Sequence, residues 1–364
     1  MTHPAMERAA HHAPDAYIPR PVSRILDLPS LRPGERVQDT FLVLDTEQKS
    51  FEGGACTVLT FGNASGRLAS APFWDRDQAS IEGIRRGQVV RVQGEVADYR
   101  GRRQLRVSSL QLLPPDSVEL SRLLPAVGEV SRSWETIDTW RGELTKPRLA
   151  AVLALFYEDG DFRRRYERCP ASVAGHHAAL GGLLQHTVEV GAIARTIARA
   201  AGANPELVLA GVLLHDIGKL EAYRWDGVFD YTDAHSLVGH VVLGALMLER
   251  RLDAAPSPPC TAEERQLLLH LVLSHHGRLE FGSPVPPLTL EAEVLHWADN
   301  ASAKTASMAE ALRDHDAFGE GLVSRKRVWQ LDHRRPYRGA SDWGKPPDPR
   351  ADRPAEGSER RPGA

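Results

Sequence analysis

The residues best suited to chemistry are histidines, and they are concentrated in one part of the chain. Ten of the 15 histidines lie between residues 176 and 296, and His215 is followed directly by Asp216. Adjacent imidazole and carboxylate groups can face one cation, and such a mixed set suits Mn²⁺, Fe²⁺ or Zn²⁺ better than Mg²⁺. His186 lies upstream of this pair and Asp299 downstream. Because the four residues fall on three separate predicted helices, we expect them to meet inside a helical bundle and bind a divalent metal.

Three further histidines extend this set. His240, His275 and His276 are candidates for a second metal or for contacts with a phosphate. Two metals about 3.5–4 Å apart can hold both the attacking and the leaving oxygen of a phosphoryl displacement, and a metal lowers the pKa of water so that hydroxide becomes available. Asp216 is predicted to bridge metals or orient that water, and Lys219 to place a positive charge on a phosphate oxygen.

The other histidines of this interval carry a weaker signal. His235, His270 and His296 are interpreted as structural or solvated residues. An isolated His-Asp pair is also more often a surface pair than a metal site. The order and helical context of the four main candidates therefore carry the metal prediction.

The first part of the chain has the hydrophobic period of β-strands. Between residues 34 and 113, five alternating runs are separated by glycine-containing turns, and a short helical stretch over 78–86 follows the third run. Five strands with a helix after the third are typical of the OB-fold, a small and partly open Greek-key barrel. We therefore predict a five-stranded OB-fold β-barrel over residues 34–113.

After Pro114 and Pro115 the hydrophobic period becomes that of helices. We predict a helical linker over 114–146 and an all-α domain over 147–335. The predicted helices cover residues 117–124, 134–142, 147–157, 182–201, 205–216, 236–251, 262–276 and 288–311. Both ends, residues 1–20 and 336–364, contain too few apolar residues for a core and are predicted to be disordered.

Composition excludes several classes of protein. The chain is 42% hydrophobic and has 45 basic against 48 acidic residues, which excludes a mainly disordered chain and a histone-like polycation. Its three cysteines are far apart, so a disulfide framework does not fit. No apolar run reaches the length of a membrane span, and the N-terminus does not resemble a secretory signal. We expect a soluble cytoplasmic protein.

The predicted barrel has residues that could hold a single strand of nucleic acid. Single-strand sites combine basic groups with aromatic platforms. Phe73 and Trp74 follow the third strand, and a basic hairpin lies between the last two strands. The candidate contacts of this hairpin are Tyr99, Arg100, Arg102, Arg103 and Arg106. The alternative is that both aromatic residues are core and the arginines form a solvated turn.

At this point a family resemblance is clear. The residues His186, His215-Asp216 and Asp299 resemble the H…HD…D pattern of the HD-domain phosphohydrolase superfamily. More narrowly, residues 34–335 resemble the YhaM-type 3′-5′ exoribonucleases, which join an OB-fold to an HD domain. The resemblance is carried by the segments Gly175–Ala178, Gly181–Thr187, Ala210–Lys219, Leu271–Gly277, Phe281–Pro286 and Glu291–Asn300.

The resemblance implies roles for particular residues. It implies that His186, His215, Asp216 and Asp299 ligate the catalytic metal. His240, His275 and His276 match further family positions for a second ion or phosphate contacts. His176 and His177 match a pair placed near the substrate. Gln185 departs from the pattern, since an acidic residue is expected before the histidine.

The expected function is therefore a metal-dependent 3′-5′ exoribonuclease that shortens single-stranded RNA, and in some members single-stranded DNA, releasing nucleoside 5′-monophosphates. One or two ions are expected, with Mn²⁺ first and Fe²⁺, Co²⁺, Zn²⁺ or Mg²⁺ as alternatives. A homo-oligomer is left open, and no membrane partner is expected. The alternatives are an HD phosphohydrolase of a nucleotide or cyclic dinucleotide, and a non-catalytic OB-fold protein that binds nucleic acid.

Overall fold

The computed structural model describes residues 25–51, 54–114, 118–128, 130–175, 177–319 and 321–339. The predicted disorder of residues 1–20 and of most of the tail lies outside these ranges. Residues 336–339 are described, and the carbonyl of Pro336 accepts a hydrogen bond from the Ser324 N–H at 2.8 Å. No helix within the described ranges is long and apolar enough to cross a membrane.

The N-terminal part is a β-rich region built on one antiparallel sheet. Its strands are β1 (Arg36–Phe51), β2 (Gly54–Asn63), β3 (Gly66–Ala69), β4 (Phe73–Trp74), β5 (Val89–Tyr99) and β6 (Arg102–Leu112). They are arranged in the order β3-β2-β1-β5-β6, with β4 paired to β2. Alternate residues such as Val37, Phe41, Leu59 and Val92 are buried in a core of their own.

The sheet is not closed into a barrel within the described residues, so this part of the barrel prediction is wrong. A register shift between Val43 and Asp45 lets β1 pair with β5 through its first half and with β2 through its second. The end strands β3 and β6 are linked by an isolated parallel bridge between Ser70 and Leu105. β3 has only four residues, and the chain then returns to β2 as β4, so the edge is too short for a continuous ladder.

The remaining chain is helical, as predicted. The helices are α1 (Val130–Gly142), α2 (Pro147–Tyr157), α3 (Gly160–Arg168), α4 (Gly182–Ala201), α5 (Pro205–Leu214), α6 (Lys219–Ala222), α7 (Asp233–Val238), α8 (His240–Ala254), α9 (Ala262–Ser274), α10 (Leu290–Arg313) and α11 (His315–Phe318). A short hairpin, β7 (Tyr223–Arg224) and β8 (Asp230–Tyr231), follows α6. Helices α4, α5 and α10 pack together at the centre of the domain.

Helix boundaries follow local signals in most places. The predictions 147–157 and 182–201 are confirmed, Gly202 ends α4 with φ +72°, and Thr261 and Glu264 form a capping box at the start of α9. The predicted helix 236–251 is instead divided at Gly239, where φ is +80°. Within the described part of 117–124, only a 3₁₀ turn over Leu120–Arg122 forms.

The sheet and the helical domain contact each other through the β7–β8 hairpin. Phe229, in its loop, is buried in a small apolar cluster with Leu42 and Val89 of the sheet. The Arg86 guanidinium lies 2.5 Å from Asp230 Oδ2 and donates to the Phe229 carbonyl at 3.1 Å. This contact positions the hairpin between the sheet and the bundle.

Candidate metal centre

Five of the candidate ligands reach the bundle interior from four helices or their ends. His186 lies on α4, Asp299 on α10 and His240 at the start of α8. His215 and Asp216 directly follow α5, whose residues Val208–Leu214 are all buried. Because this helix is apolar on every side, it runs through the core and its C-terminal end brings both groups to the centre.

A first group of ligand atoms forms around one oxygen of Asp216. One ligand atom from each of His186, His215 and Asp216 lies within 4.8 Å of the others. Asp216 Oδ2 is 3.2 Å from His215 Nε2 and 3.5 Å from His186 Nε2. Asp299 adjoins the group, with Oδ1 at 3.1 Å from His186 Nε2. The structure thus brings together all four residues of the predicted metal set.

A second group forms around the other oxygen of the same carboxylate. It contains Asp216, His240, His275 and His276. Asp216 Oδ1 is 3.5 Å from His240 Nε2 and 3.7 Å from His275 Nε2. Asp216 therefore lies between two groups of donors, the arrangement expected of a carboxylate shared by two metals.

Unpartnered buried atoms show that this donor set fits a cation. Asp216 Oδ1, His240 Nε2 and His275 Nε2 are buried and have no hydrogen-bond partner among the residues that the structure describes. Leaving such atoms unpaired costs free energy. A divalent cation between them would satisfy all three.

Backbone carbonyls orient three of the imidazoles. Nδ1 of His215 lies 2.7 Å from the Val212 carbonyl, and Nδ1 of His275 lies 2.7 Å from the Val272 carbonyl. Nδ1 of His276 lies 2.6 Å from the carbonyl of Phe281. Because a carbonyl only accepts, each Nδ1 carries the proton and each Nε2 presents its lone pair, the form that a metal needs.

His186 is oriented by two residues that sequence reasoning missed. Its Nδ1 is 3.1 Å from Ser302 Oγ, and this hydroxyl donates its proton to Glu189 Oε2 at 3.1 Å. The hydroxyl must then accept from His186 Nδ1–H, which is the tautomer that binds a metal through Nε2. The signal was helical spacing, since Glu189 follows His186 by three residues and Ser302 follows Asp299 by three.

Burial and charge set the protonation of the site. Burial lowers the pKa of His240 and His275 well below the usual range, so both are neutral. Burial raises the pKa of Asp216, but Lys219 and His215 outweigh it and hold that pKa well below its ordinary value. Burial likewise lowers the pKa of His215, but the Asp216 carboxylate outweighs it and raises the pKa. The raised pKa favours a proton on Nε2 of His215, and a cation bound at that nitrogen would replace it.

Lys219 lies beside the first group of ligand atoms and is not exposed on the surface of the site. It is buried, and its ammonium donates to Asp216 Oδ2 at 2.5 Å. Its charge balances the carboxylate between the two groups. The predicted contact with a phosphate stays a prediction.

The histidine pair expected near the substrate is only partly described. His176 lies outside the described residues. His177 has φ +53°, and its Nε2 is 2.9 Å from Glu189 Oε2. Gln185 donates to the other oxygen of Glu189 at 3.0 Å. The structure therefore places His177 and Gln185 in support of Glu189, which in turn orients His186.

Two of the predicted nucleic-acid contacts in the sheet are corrected. Phe73 is buried in the sheet core because strand alternation turns it inward, while Trp74 is 43% exposed and lies edge-on to Phe51. Arg103 donates three hydrogen bonds to backbone carbonyls of residues 28–31. Its guanidinium anchors the N-terminal segment.

The other hairpin residues are exposed. Tyr99, Arg100, Arg102 and Arg106 face solvent, and the Arg100 guanidinium lies 5.3 Å from the centre of the Tyr99 ring. Arg325, from the helical domain, reaches the same turn, since its Nη1 lies 3.3 Å from where a Cβ on Gly101 would be. This surface combines aromatic and positive groups.

The remaining histidines divide into two kinds. His270 Nε2 accepts from the Leu288 N–H at 2.9 Å, and His296 Nδ1 lies 2.8 Å from the His275 carbonyl, so both have structural roles. His235 instead stacks on Tyr231, with ring centres 4.0 Å apart.

Comparison with known proteins gives consistent results. The HD domain family model matches residues 183–304. The chain is 31% identical over 305 residues to the 3′-5′ exoribonuclease YhaM of Oceanobacillus iheyensis, covering 82% of this chain and 93% of the relative. It is 30% identical over 310 residues to the 3′-5′ exoribonuclease YhaM of Bacillus subtilis, covering 84% and 95% respectively.

Proposed function

Since this chain belongs to the family of YhaM 3′-5′ exoribonucleases and carries their HD domain, we propose that it is a metal-dependent hydrolase that shortens RNA from the 3′ end and releases nucleoside 5′-monophosphates. The observation that carries the proposal is Asp216, whose two oxygens face two separate groups of metal-binding side chains. Two cations held by such a pair of groups would supply the chemistry for in-line hydrolysis of a phosphodiester.

The side chains prepare the site for this reaction. When bound, divalent cations supply Lewis acidity and lower the pKa of water. Asp216 is held between the groups by Lys219, and Glu189 keeps His186 in the tautomer that binds through Nε2. These fixed positions remove the need for the donors to rearrange during the reaction.

The accessible side of the centre indicates where the substrate enters. The side chains of His276 and Asp299 are 23% and 13% exposed, whereas those of His215 and His275 are fully buried. The phosphate of the 3′-terminal nucleotide would therefore approach beside His276 and Asp299. The buried apolar helix α5 closes the centre on the side of His215.

Within this proposal we assign two ions, with Mn²⁺ as the native metal. Five imidazoles and two carboxylates form the donor set, and such a set is better matched to Mn²⁺, Fe²⁺, Co²⁺ or Zn²⁺ than to Mg²⁺, which prefers oxygen. Asp216 belongs to both groups and would help to hold both ions.

The N-terminal sheet would hold the single strand. We assign it a partly open OB-fold, which is supported by the strand order and by the parallel bridge between Ser70 and Leu105. The exposed residues assigned to the strand are Trp74, Tyr99, Arg100, Arg102 and Arg106. Single-stranded RNA is the proposed substrate, and single-stranded DNA is assayed beside it.

The function is tested with a 5′-labelled single-stranded RNA, Mn²⁺ and two proteins, the wild type and His215→Ala. The wild type should give a ladder of 3′-shortened products. The variant should form it at about one hundredth of that rate or less, because it loses a ligand of the first group and even a lost supporting residue typically costs about 10- to 100-fold. Glu263→Gln, an exposed change on α9, serves as control. Hydrolysis of free nucleotides without shortening of RNA would contradict the proposal and favour a nucleotide phosphohydrolase.

A further inference from the structure

A row of aromatic rings leads from the protein surface to the second ligand group. Tyr231, in β8, stacks on His235, in α7, with ring centres 4.0 Å apart and planes inclined by 12°. The rings of His235 and His240 are parallel within 3°, with centres 6.1 Å apart. Tyr223 packs against both Tyr231 and His235 at 5.6 and 5.8 Å. The row therefore ends at a candidate metal ligand.

The outer end of this row is open and incompletely paired. Tyr231 is 40% exposed, and its hydroxyl makes no hydrogen bond with a residue that the structure describes. Nδ1 of His235 is buried, and it too has no partner in the described part of the chain. A core aromatic cluster would cover its rings and pair its polar atoms. Tyr231 instead leaves part of its side chain open to a ligand, and His235 behind it holds an unpaired buried nitrogen.

The backbone that carries the two rings is held in place, and Tyr223 packs against both rings. The Tyr231 N–H donates to Asp230 Oδ1 at 2.9 Å, and Asp230 is paired with Arg86 of the sheet domain. The His235 N–H donates to Thr232 Oγ1 at 3.1 Å, which caps α7. A stacking surface that is fixed before binding loses little entropy when a ligand is bound.

We propose that Tyr231 and His235 form a stacking subsite for the 3′-terminal nucleobase. The inference rests on the proposed function, because that function places the phosphate of the terminal nucleotide at the metal centre. In a nucleotide the base is separated from its phosphate by the sugar ring. In the protein the ring centre of His235 lies 6.1 Å from that of His240, the candidate metal ligand. Every base has a π-face, so this subsite accepts any of the four nucleobases, as an exonuclease that proceeds through different sequences requires.

Equilibrium binding separates the base from the phosphate. Adenosine 5′-monophosphate and ribose 5-phosphate share the sugar and phosphate, so the ratio of their affinities for the Mn²⁺-loaded protein reports the contribution of the base alone. Base stacking on an aromatic side chain is worth about 1–3 kcal/mol, so calorimetric titration of the wild type should give a ratio of roughly 5- to 150-fold.

Three variants make the test specific. Tyr231→Phe keeps the ring and should keep the ratio, whereas Tyr231→Leu should reduce it to near one while the affinity for ribose 5-phosphate stays unchanged. Tyr337→Leu removes another exposed tyrosine and should behave as the wild type. An unchanged ratio in Tyr231→Leu, or a ratio near one in the wild type, would overturn the proposal.

A parallel RNA assay distinguishes this inference from the proposed function. If RNA is not shortened but the ratio depends on Tyr231, the stacking subsite stands and the exonuclease assignment fails. If RNA is shortened and the ratio does not depend on Tyr231, the exonuclease assignment stands and the stacking subsite is wrong.

Discussion

At the scale of single residues, the site depends on side chains that never need to touch the substrate. Glu189 accepts from Ser302 and His177, and the Ser302 hydroxyl accepts from His186. Burial raises the pKa of Glu189, but hydrogen bonding and charge from His177 outweigh it, so the pKa is lowered and Glu189 is a carboxylate. That charge strengthens the basicity of His186 toward a metal.

Glu189→Gln should therefore weaken Mn²⁺ binding. The amide cannot supply the negative charge that orients Ser302 and His186, and the loss of such a supporting group typically lowers metal affinity about 10- to 100-fold. Calorimetric titration of metal-free protein with Mn²⁺ measures the effect. Glu135→Gln, an exposed change on α1, is the control, and equal affinities in the two variants would show that Glu189 does not act on the metal.

Residue types indicated the ligands, but not the residues around them. The four main ligands were predictable because metal binding is the usual reason for several imidazoles and carboxylates to occur on buried helices. These ligands are His186, His215, Asp216 and Asp299. Glu189 and Ser302 were not singled out because such residues are common on helix surfaces. Phe73 and Trp74 were not separable by sequence, since which one faces the core depends on the register of β4 against β2.

At the scale of elements, the centre depends on the close approach of α6 and α8. A Cβ on Gly218 would lie 2.0 Å from the His240 carbonyl oxygen and 2.4 Å from the Gly244 nitrogen. Both are backbone atoms of α8, so neither can move without moving the helix. Glycine at 218 thus keeps His240 beside Asp216.

Gly218→Ala should push α8 away from Asp216. We expect a loss of about 1–3 kcal/mol in the free energy of unfolding, as for other overpacked sites, together with weaker binding of the second ion. Gly227→Ala is the matched control, because nothing lies within 4 Å of a Cβ there. Urea unfolding of both variants, with and without Mn²⁺, makes the comparison, and identical midpoints would refute the packing argument.

A second element, the junction between α2 and α5, gives a pH-dependent prediction. Glu206 accepts hydrogen bonds from the Thr145 hydroxyl and from the backbone N–H groups of Thr145 and Lys146. These bonds, the Thr145 hydroxyl first, lower its pKa from 4.5 to about 2. Because the folded-state pKa lies below the unfolded value, this stabilisation is complete above about pH 5 and is lost as the pH falls toward 2.

Glu206→Gln should therefore be less stable than the wild type by about 1 kcal/mol at pH 7. The difference should stay constant down to about pH 5 and shrink below pH 4, where Glu206 of the unfolded wild-type chain takes up a proton while the folded carboxylate stays ionised. Thermal unfolding at four pH values from 7 to 3.5 follows it, with Glu263→Gln as the reference. If the stability difference between Glu206→Gln and the wild type grew as the pH fell, the prediction would be contradicted.

Elements with a strong period were predictable, and short or charged ones were not. The helix 147–157 begins at Pro147 and has a regular apolar spacing, so its prediction is confirmed. Helix α3 was missed because it is rich in arginine, although Asp159 caps it and Phe162 and Tyr166 are spaced for one buried face. The two-residue strands β4, β7 and β8 are too short to show any period.

At the scale of the whole molecule, distant segments meet around the centre in ways that no local pattern shows. Arg86 and Asp230 are 144 residues apart in sequence, yet their ion pair joins the sheet to the hairpin that carries Tyr231. The net charge of −3 also has little bearing on nucleic-acid binding. The positive groups that we propose to contact the nucleic acid are local, at the turn formed by residues 99–102, and cations at the centre would add to them.

The most direct test of the account is the metal content of the folded chain. Protein is saturated with Mn²⁺, freed of unbound ion and analysed for manganese per chain, for the wild type and for His275→Ala. If Asp216 joins two ligand groups, the wild type holds two ions and His275→Ala, which breaks only the second group, holds one. A single ion in the wild type, unchanged in His275→Ala, would contradict the shared carboxylate on which the proposed mechanism rests.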